Sequence, residues 1–185
     1  GKTTFVYSLL SLHTPSAGEI KLNDKVVQEH NYIDYRNAFA VVFSDFYLFN
    51  EVLGIDNIDV KKWNYYLQLF EIEGKVKLEG NQLSTTDLST GQRKRLALIA
   101  MLLEEKPILV LDEWAADQDP YFRKKFCTEI ISLLKKDGFI IIAITHDDNY
   151  YHCADKLFKM EYGTLTEEDI HVHNSFLPTD RYVNL

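Results

Sequence analysis

Near the middle of the chain lies the stretch Ile108-Leu109-Val110-Leu111-Asp112-Glu113. Its continuous apolar run predicts a strand that is buried on both faces, which is typical of a parallel sheet covered by helices. The two carboxylates at its end are unfavourable there unless they bind a cation or take part in proton transfer. We therefore expect Asp112 to bind Mg2+ and Glu113 to orient and deprotonate a water molecule. The alternative is a solvated surface turn after the strand.

Strand-like and helix-like segments alternate on both sides of this stretch. The pattern favours an α/β fold with a mostly parallel sheet flanked by helices. Strands are predicted at residues 19–22, 39–43, 107–112, 139–145 and 156–160. Helices are predicted at residues 3–12, 62–70, 89–104 and 120–136. A polar loop is expected at residues 79–87, and the tail at 164–185 shows no clear period.

The chain opens with Gly1-Lys2-Thr3-Thr4, which matches the end of the phosphate-binding pattern GxxxxGK[ST]. In such a loop the glycine lets the backbone approach phosphate, the lysine neutralises phosphate charge and the hydroxyl binds Mg2+. The following helix presents free N–H groups to an anion. Taken alone, the four residues also fit a flexible start before a helix. Since the chain begins inside the pattern and without Met, we expect it to be a fragment of a longer protein.

A second phosphate-adapted helix start is Leu88-Ser89-Thr90-Gly91-Gln92. Ser89 is suited to cap the helix, and the small residues would let a phosphate approach the backbone. An ordinary capped helix is the equally good alternative. The Arg93-Lys94-Arg95 run that follows is expected to be a solvated helix face.

Two further side chains are candidates because of their positions. His146 follows the second apolar strand, at the edge of the sheet where ligands bind. Asp119 precedes Pro120, so it is suited to cap a helix, and it is also close enough to Glu113 to serve the site. The pair His171 and His173 is a weak candidate for a metal site, since no Cys or acidic pattern accompanies it.

Composition excludes some classes of protein. The net charge of −8 argues weakly against a nucleic-acid binder, which would more often carry a basic excess. The two cysteines, Cys127 and Cys153, have neither disulfide-scaffold nor zinc-site spacing. No apolar run approaches the roughly 20 residues that span a bilayer.

Taken together and in this order, the motifs GKTT, LSTGQ, ILVLDE and ITHD, with Asp119 between the last two, resemble the ABC ATPase family. The resemblance covers essentially the whole chain, and LSTGQ is the family's distinguishing signature. It implies a P-loop NTPase fold, truncated within the Walker A motif and with a helical subdomain at residues 50–87. It also implies ATP and Mg2+ as ligands.

The resemblance also implies a role for each motif. In this family two nucleotide-binding domains pair head to tail around two ATP molecules. Gly1, Lys2, Thr3 and Thr4 would bind phosphate, with Thr3 and Asp112 on Mg2+. Glu113 would be the general base and His146 would contact the γ-phosphate. The residues expected to act across the dimer interface are Ser89, Gly91, Gln92 and Asp119.

One position departs from the family pattern. The family usually has a Gln after the second strand, whereas Phe43-Ser44-Asp45-Phe46-Tyr47-Leu48-Phe49 places Ser44 there. The shorter hydroxyl puts direct Mg2+ contact in doubt, and Asp45, acting through a water, is the alternative. This stretch, DEWAADQDPYFRKKF (112–126) and THDDNYY (145–151) are similar to exporters of cyclic peptides and peptide siderophores.

In those exporters the ATPase domain follows a transmembrane domain in the same chain, and the pair works as a homodimer at the cytoplasmic face of the bacterial inner membrane. The leading hypothesis is therefore the ATP-hydrolysing domain of such an exporter. One alternative is a soluble ABC ATPase that acts on nucleic acid or ribosomes. Another is a module that holds nucleotide without turnover, which the presence of Glu113 and His146 disfavours.

The family's strand order also implies that a strand preceding the phosphate loop lies beside residues 139–145. Without it, those residues would form an apolar edge that invites pairing with other chains. We accordingly expect residues 1–185 alone to aggregate or to stay partly unfolded, and to bind ATP poorly. The upstream strand and loop should restore both solubility and binding.

Overall fold

The computed structural model describes residues 1–170. Its strands form one central parallel sheet and three small antiparallel hairpins. In chain order the strands are β1 (Lys21–Leu22), β2 (Lys25–Val26), β3 (Phe39–Val42), β4 (Leu78–Glu79), β5 (Gln82–Leu83), β6 (Ile108–Asp112), β7 (Ile140–Ile144), β8 (Leu157–Glu161) and β9 (Thr164–Glu168). The central sheet has the order β3–β6–β7.

The structure contains the four predicted helices, to within a few residues at each end, and one short helix at residues 32–36 that was not predicted. They are α1 (Lys2–Leu9), α2 (Tyr32–Arg36), α3 (Val60–Leu69), α4 (Thr90–Leu103), α5 (Pro120–Lys125) and α6 (Ile131–Lys136). The predicted helix at 120–136 is one continuous helical segment, because a π-helical turn at Phe126–Ile130 joins α5 to α6. Short 3-10 helices lie at Glu29–Asn31, Trp114–Asp117 and Asp148–Cys153.

The central sheet is covered on both faces, as the apolar runs predict. Along β6, Leu109 and Leu111 face a core that includes α3, α4 and the α5–α6 segment. Ile108 and Val110 face the opposite core, which α1 and α2 complete through Val6 and Tyr35. Side chains of a strand point alternately to the two faces, so an uninterrupted apolar strand is what this position requires.

β7 forms the apolar edge that is expected of residues 139–145 when no further strand lies beside them. β7 is the outer strand of the described sheet, and its residues are exposed or half-buried, with Ile140 59% exposed. Within residues 1–170, β6 has a strand on each side, whereas β7 has a strand on one side. The sequence patterns of the two strands are alike, and position in the sheet makes the difference.

The hairpins were largely missed. The β4–β5 hairpin lies partly within the region predicted as a polar loop, and β9 lies in the tail for which no element was predicted. The turn between β8 and β9 has positive φ at Tyr162 and Gly163, which is the backbone of a two-residue hairpin turn. The pair His171 and His173 lies outside the described residues.

The region expected to be a helical subdomain, residues 50–87, holds α3 and the β4–β5 hairpin. Asp59 caps α3 by accepting from the backbone N–H groups of Lys61 and Lys62. Trp63, Tyr66 and Leu67 of α3 pack into the core shared with α4. Within residues 1–170, no helix combines the length and the apolarity that crossing a membrane requires.

One substitution in the central strand β6 and one in the outer strand β7 test which strand contributes more to the core. Leu109 has no solvent exposure, so Leu109→Ala should lower the free energy of unfolding by about 2–5 kcal/mol, through lost burial and the cavity left behind. Ile140→Ala, in the exposed outer strand, is the matched control and should lower it by less than half as much. Urea unfolding of the two variants measures the difference, and equal losses would contradict this account of the core.

Candidate functional site

The first part of the site is the carboxyl end of β6, where Asp112 is the last strand residue. Asp112 is 2% exposed, and its Oδ2 atom accepts one long hydrogen bond, 3.5 Å, from the Ser44 hydroxyl. Burial, and next the charge of Glu113, raise the pKa of Asp112 above its usual range. The Ser44 backbone also donates to this carboxylate, but within residues 1–170 no Lys or Arg pairs with it, so it is suited to bind a cation. The residues present therefore fit the expected Mg2+.

Glu113 directs its carboxylate away from β6 through an unusual backbone conformation. Its φ of 51° and ψ of 28° lie in the left-handed region, which is unfavourable for a residue with a side chain. The backbone N–H of Glu113 donates to Ile144 of β7 at 3.0 Å, so the turn is anchored to the neighbouring strand. The side chain is 41% exposed, and Oε1 lies 3.1 Å from Nε2 of His146.

Lys2 extends this contact into a chain of three side chains. Its Nζ lies 2.9 Å from Nε2 and 3.0 Å from Nδ1 of His146. The His146 ring is thus in contact with a carboxylate on one side and with an ammonium on the other. The residues predicted from three separate motifs therefore lie together at one edge of the sheet.

Lys2 is also the first residue of α1, whose N-terminus contributes the other predicted phosphate contacts. Gly1 is the N-cap of this helix and no side chain caps it. Thr3 and Thr4 are both exposed in the first turn. Uncapped N–H groups and exposed hydroxyls beside an ammonium fit an anionic ligand.

The signature residues form a second group. Ser89 caps α4: its Oγ accepts from the backbone N–H of Gln92 at 3.3 Å, and its own N–H donates to Gln92 Oε1 at 3.3 Å. The capping alternative is thus observed. Within residues 1–170, no hydrogen bond or ion pair links Ser89, Gly91 or Gln92 to Lys2 or Thr3. Their phosphate role stays a prediction.

The prediction that Arg93-Lys94-Arg95 forms a solvated face is wrong for two of the three residues. Lys94 is 2% exposed and Arg95 is 7% exposed, and only Arg93 faces solvent. Lys94 pairs with Asp117, Nζ to Oδ2 at 2.7 Å, and donates to the backbone carbonyl of Glu113 at 3.2 Å. Buried charges need such partners, and the 114–119 segment supplies them.

Arg95 makes a parallel set of contacts one residue further along α4. Its Nε donates to Gln118 Oε1 at 2.8 Å, its second guanidinium nitrogen pairs with Asp119 at 2.8 Å, and its plane stacks on Phe122 at 3.4 Å. Gln118 in turn donates to the carbonyl of Gly91 at 3.2 Å. The 114–119 segment is therefore hydrogen-bonded directly to the signature motif.

Asp119 has the capping role that its place before Pro120 predicts. Its Oδ1 accepts from the N–H of Phe122 at 2.9 Å. That backbone hydrogen bond, together with Arg95, lowers the pKa of Asp119 below its usual range. In the described part of the chain, Asp119 makes no hydrogen bond or ion pair with Lys2, Glu113 or His146. The role of Asp119 across a dimer interface stays a prediction.

Sequence reasoning missed Lys94, Arg95 and Gln118. A signal was available for the two cations, since they lie four positions before the buried Leu98 and Ile99 on the same face of α4. The acids that pair with them, Asp117 and Asp119, were visible in DEWAADQD. Gln118 has no comparable signal, because its burial depends on the close approach of two segments.

Ser44 and Asp45 occupy the position at which a Gln was expected. The Ser44 hydroxyl reaches Asp112 itself, and the nearby charge of exposed Asp45 contributes to the raised pKa of Asp112. Both side chains are therefore close to the presumed cation site. Which of them takes part in Mg2+ binding stays a prediction.

Comparison with known proteins agrees with this arrangement. The sequence profile described as "ABC transporter" matches residues 1–116, more than half of the chain. The chain belongs to the ABC transporter family. It is an ABC-type ATP-binding domain with the fold of the family's ATPases, as the motifs predicted.

Individual relatives extend the match over most of the chain. The ATP-binding protein SyrD of Pseudomonas syringae pv. syringae is 42% identical over 91% of this chain and 30% of its own length. The methionine import ATP-binding protein MetN of Lactobacillus johnsonii is 29% identical over 91% of this chain and 53% of its own length. The chain thus spans about a third to a half of these two relatives.

A solved structure shows the same fold. It is a dimeric ATP-binding cassette in a post-hydrolysis state, bound to ADP and Pi, with a TM-score of 0.74 and 21% sequence identity. The match covers 92% of this chain and 81% of that one.

The close approach of Gly91 to the 114–119 segment generates a prediction. A Cβ at Gly91 would lie 2.7 Å from the backbone oxygen of Asp117. Exchanging Gly for Ala inside a helix normally stabilises by about 1 kcal/mol. Here Gly91→Ala should instead lower the free energy of unfolding by about 1–3 kcal/mol, because backbone must move. Thermal or urea unfolding measures it, with exposed Thr90→Ala as the control. A more stable Gly91→Ala variant would contradict the close packing.

Proposed function

We propose that this domain hydrolyses ATP to drive export across a membrane. The observation that carries the hydrolytic part is the contact of Glu113 with His146 and of His146 with Lys2, beside Asp112. A base, a group able to contact phosphate and an ammonium lie in one row at the carboxyl end of a parallel sheet. This is the set of groups that phosphoryl transfer to water needs.

Each side chain has one task in this proposal. Lys2 and the N-terminus of α1 bind and neutralise the triphosphate. Thr3 and Asp112 would hold Mg2+, which supplies further neutralisation of phosphate charge when bound. Glu113 orients a water and accepts its proton, and its partial exposure leaves that water a path to the carboxylate. His146, held between Lys2 and Glu113, is placed to contact the terminal phosphate.

Glu113→Gln tests the base directly. The amide keeps the size of the side chain and can still contact His146, but it cannot accept a proton from water. In the full natural protein, ATP binding should remain while the hydrolysis rate falls by about 10²–10⁴-fold. Phosphate release and nucleotide binding measure the two effects. A rate within threefold of the unchanged protein would exclude Glu113 as the base.

The proposal includes a second ATPase domain, most simply an identical copy. Two observations support it. Ser89, Gly91 and Gln92 have no polar contact with the Lys2 group in the described chain, although both groups suit phosphate. The similar cassette described above is dimeric. A signature that completes the partner's ATP site, with Asp119 at the interface, accounts for two phosphate-adapted helix starts in one chain.

A mixing experiment tests the shared site. Ser89→Arg and Lys2→Ala homodimers should each fail to hydrolyse ATP, since each lacks one half of both sites. The mixed dimer has one composite site with Lys2 from one chain and Ser89 from the other. It should therefore regain up to half of the turnover. If the mixture binds and hydrolyses ATP no better than either homodimer, the assignment across subunits is wrong.

A transmembrane partner is the remaining part of the proposal, with this domain at the cytoplasmic face of the membrane. Tyr47, Phe49 and Leu53 are exposed apolar residues on one short segment, which pairs with β5 of the α3 region. Such a patch suits a protein interface. That this partner belongs to the same full-length chain rests on the likeness to peptide exporters.

The direction of transport and the cargo rest on the same likeness. The stretches at 43–49, 112–126 and 145–151 are similar to exporters of cyclic peptides and peptide siderophores. Because MetN is an import protein, family membership alone leaves the direction open. Reading the coding sequence upstream of this domain distinguishes the exporter from the alternative, a soluble ABC ATPase that acts on nucleic acid or ribosomes. Several apolar segments of roughly 20 residues favour the exporter, and a second ATPase domain favours the soluble protein.

A further inference from the structure

One fully buried cation in the described chain, Lys94, lies outside the residues with a proposed chemical task. The Lys94 ammonium is enclosed by α4 and by the turn that follows β6. It has two partners there, the Asp117 carboxylate at 2.7 Å and the backbone carbonyl of Glu113 at 3.2 Å. Removing a lysine ammonium from water is unfavourable, so the groups that this ammonium binds indicate its role.

The backbone carbonyl that Lys94 holds belongs to a residue in an unfavourable conformation. Glu113 is left-handed, and this conformation turns its side chain towards His146. A residue keeps such a conformation only where its surroundings enforce it. On one side the Glu113 N–H is bonded to Ile144 of β7, and on the other side the Glu113 carbonyl is bonded to Lys94.

A second hydrogen bond joins the two segments, with the side chain now on the β6 turn and the backbone acceptor on α4. The indole N–H of Trp114, the residue after Glu113, donates to the backbone carbonyl of Lys94 at 2.9 Å. Trp114 is itself buried and packs against Phe126, with ring centroids 4.3 Å apart. Residues 113–114 and residue 94 are therefore bonded twice, once through each side chain to the other's backbone.

From this geometry we infer that Lys94 is a positioning residue for ATP hydrolysis, which holds the Glu113 backbone so that its carboxylate faces the reacting water. The inference rests on the proposed role of Glu113 as the base. Lys94 touches neither nucleotide nor water itself. Its loss should lower kcat while leaving the KM for ATP unchanged, because the phosphate contacts of Lys2 and α1 do not depend on it.

Lys94 lies on the same helix as the signature, two turns at most from Ser89. A shift of α4 is thus transmitted to the backbone of Glu113 through one hydrogen bond. The orientation of Glu113 therefore depends on the position of α4, the helix that carries the signature motif in the same chain.

The test compares four variants of the full natural protein by steady-state ATPase kinetics and thermal unfolding. Lys94→Met removes the donor to Glu113. The double variant Lys94→Met/Asp117→Asn removes the donor and both charges, so that no unpaired carboxylate remains beside the buried site. Asp117→Asn alone leaves Lys94 bonded to the Glu113 carbonyl. Lys135→Met, which breaks an exposed ion pair with Asp155, is the matched control.

The expected result is a fall in kcat of about tenfold or more in both variants that lack Lys94, with the KM for ATP within twofold. Asp117→Asn and Lys135→Met should stay within threefold in kcat. If Lys94 were only a structural residue, the double variant would recover activity together with stability. Since the double variant carries no unpaired charge, it also serves where Lys94→Met alone does not fold.

Two outcomes would overturn the inference. One is a double variant with kcat within threefold of the unchanged protein. The other is an Asp117→Asn variant as slow as Lys94→Met, which would assign the effect to the ion pair rather than to the Glu113 carbonyl. Glu113→Gln, measured alongside, distinguishes a failure of Glu113 as the base from a failure of Lys94 as its positioning residue. If it hydrolyses ATP at the unchanged rate, the proposed function of Glu113 fails, whereas a slow Glu113→Gln with a fast double variant removes the role of Lys94 alone.

Discussion

The enclosure of β6 on both faces and along both edges is the constraint on which the rest of the structure depends. Every residue of this strand is buried, so the chain can present polar groups only where the strand ends. Because β3 and β7 run parallel to it, the residues that follow them, Ser44 and His146, arrive at the same edge. Asp112 and Glu113 thereby meet groups from distant parts of the chain, and the site is a consequence of strand direction.

A second layer of contacts holds the signature helix against that edge. Lys94 and Arg95 enter the protein interior from α4, and the segment between Glu113 and Pro120 supplies an acid or amide for each of them. Arg123 then joins the same segment to the residue after His146, through Gln118 O at 3.1 Å and Asp147 at 2.7 Å. Glu113, the signature motif and the strand end that carries His146 are therefore parts of one hydrogen-bonded body. A displacement of one of its parts would therefore be transmitted to the others.

The sequence predicts the parts of this arrangement that depend on local pattern, and fails where placement depends on neighbours. β6, α4, the Asp119 cap and the convergence of Lys2, Glu113 and His146 follow from apolar runs, caps and strand direction. The different burial of β6 and β7 cannot be predicted from their apolar runs alone, since an apolar run does not reveal whether a strand has one partner or two. Lys94 was assigned to solvent because a basic run is usually solvated, and only its position relative to Leu98 argued otherwise. β8 was predicted, but β9 and the turn before it were missed because Tyr-Gly is a weaker turn signal than Asn-Gly.

The left-handed backbone of Glu113 implies a compromise between durability and catalysis. Holding a side chain in this region is unfavourable by about 1 kcal/mol or somewhat more, and glycine would relieve it. A chain selected for resistance to heat alone would drift towards glycine at this position and lose the proposed base. The role proposed for Glu113 thus opposes the preference of its own backbone, and stabilising substitutions that keep this role must lie elsewhere in the fold.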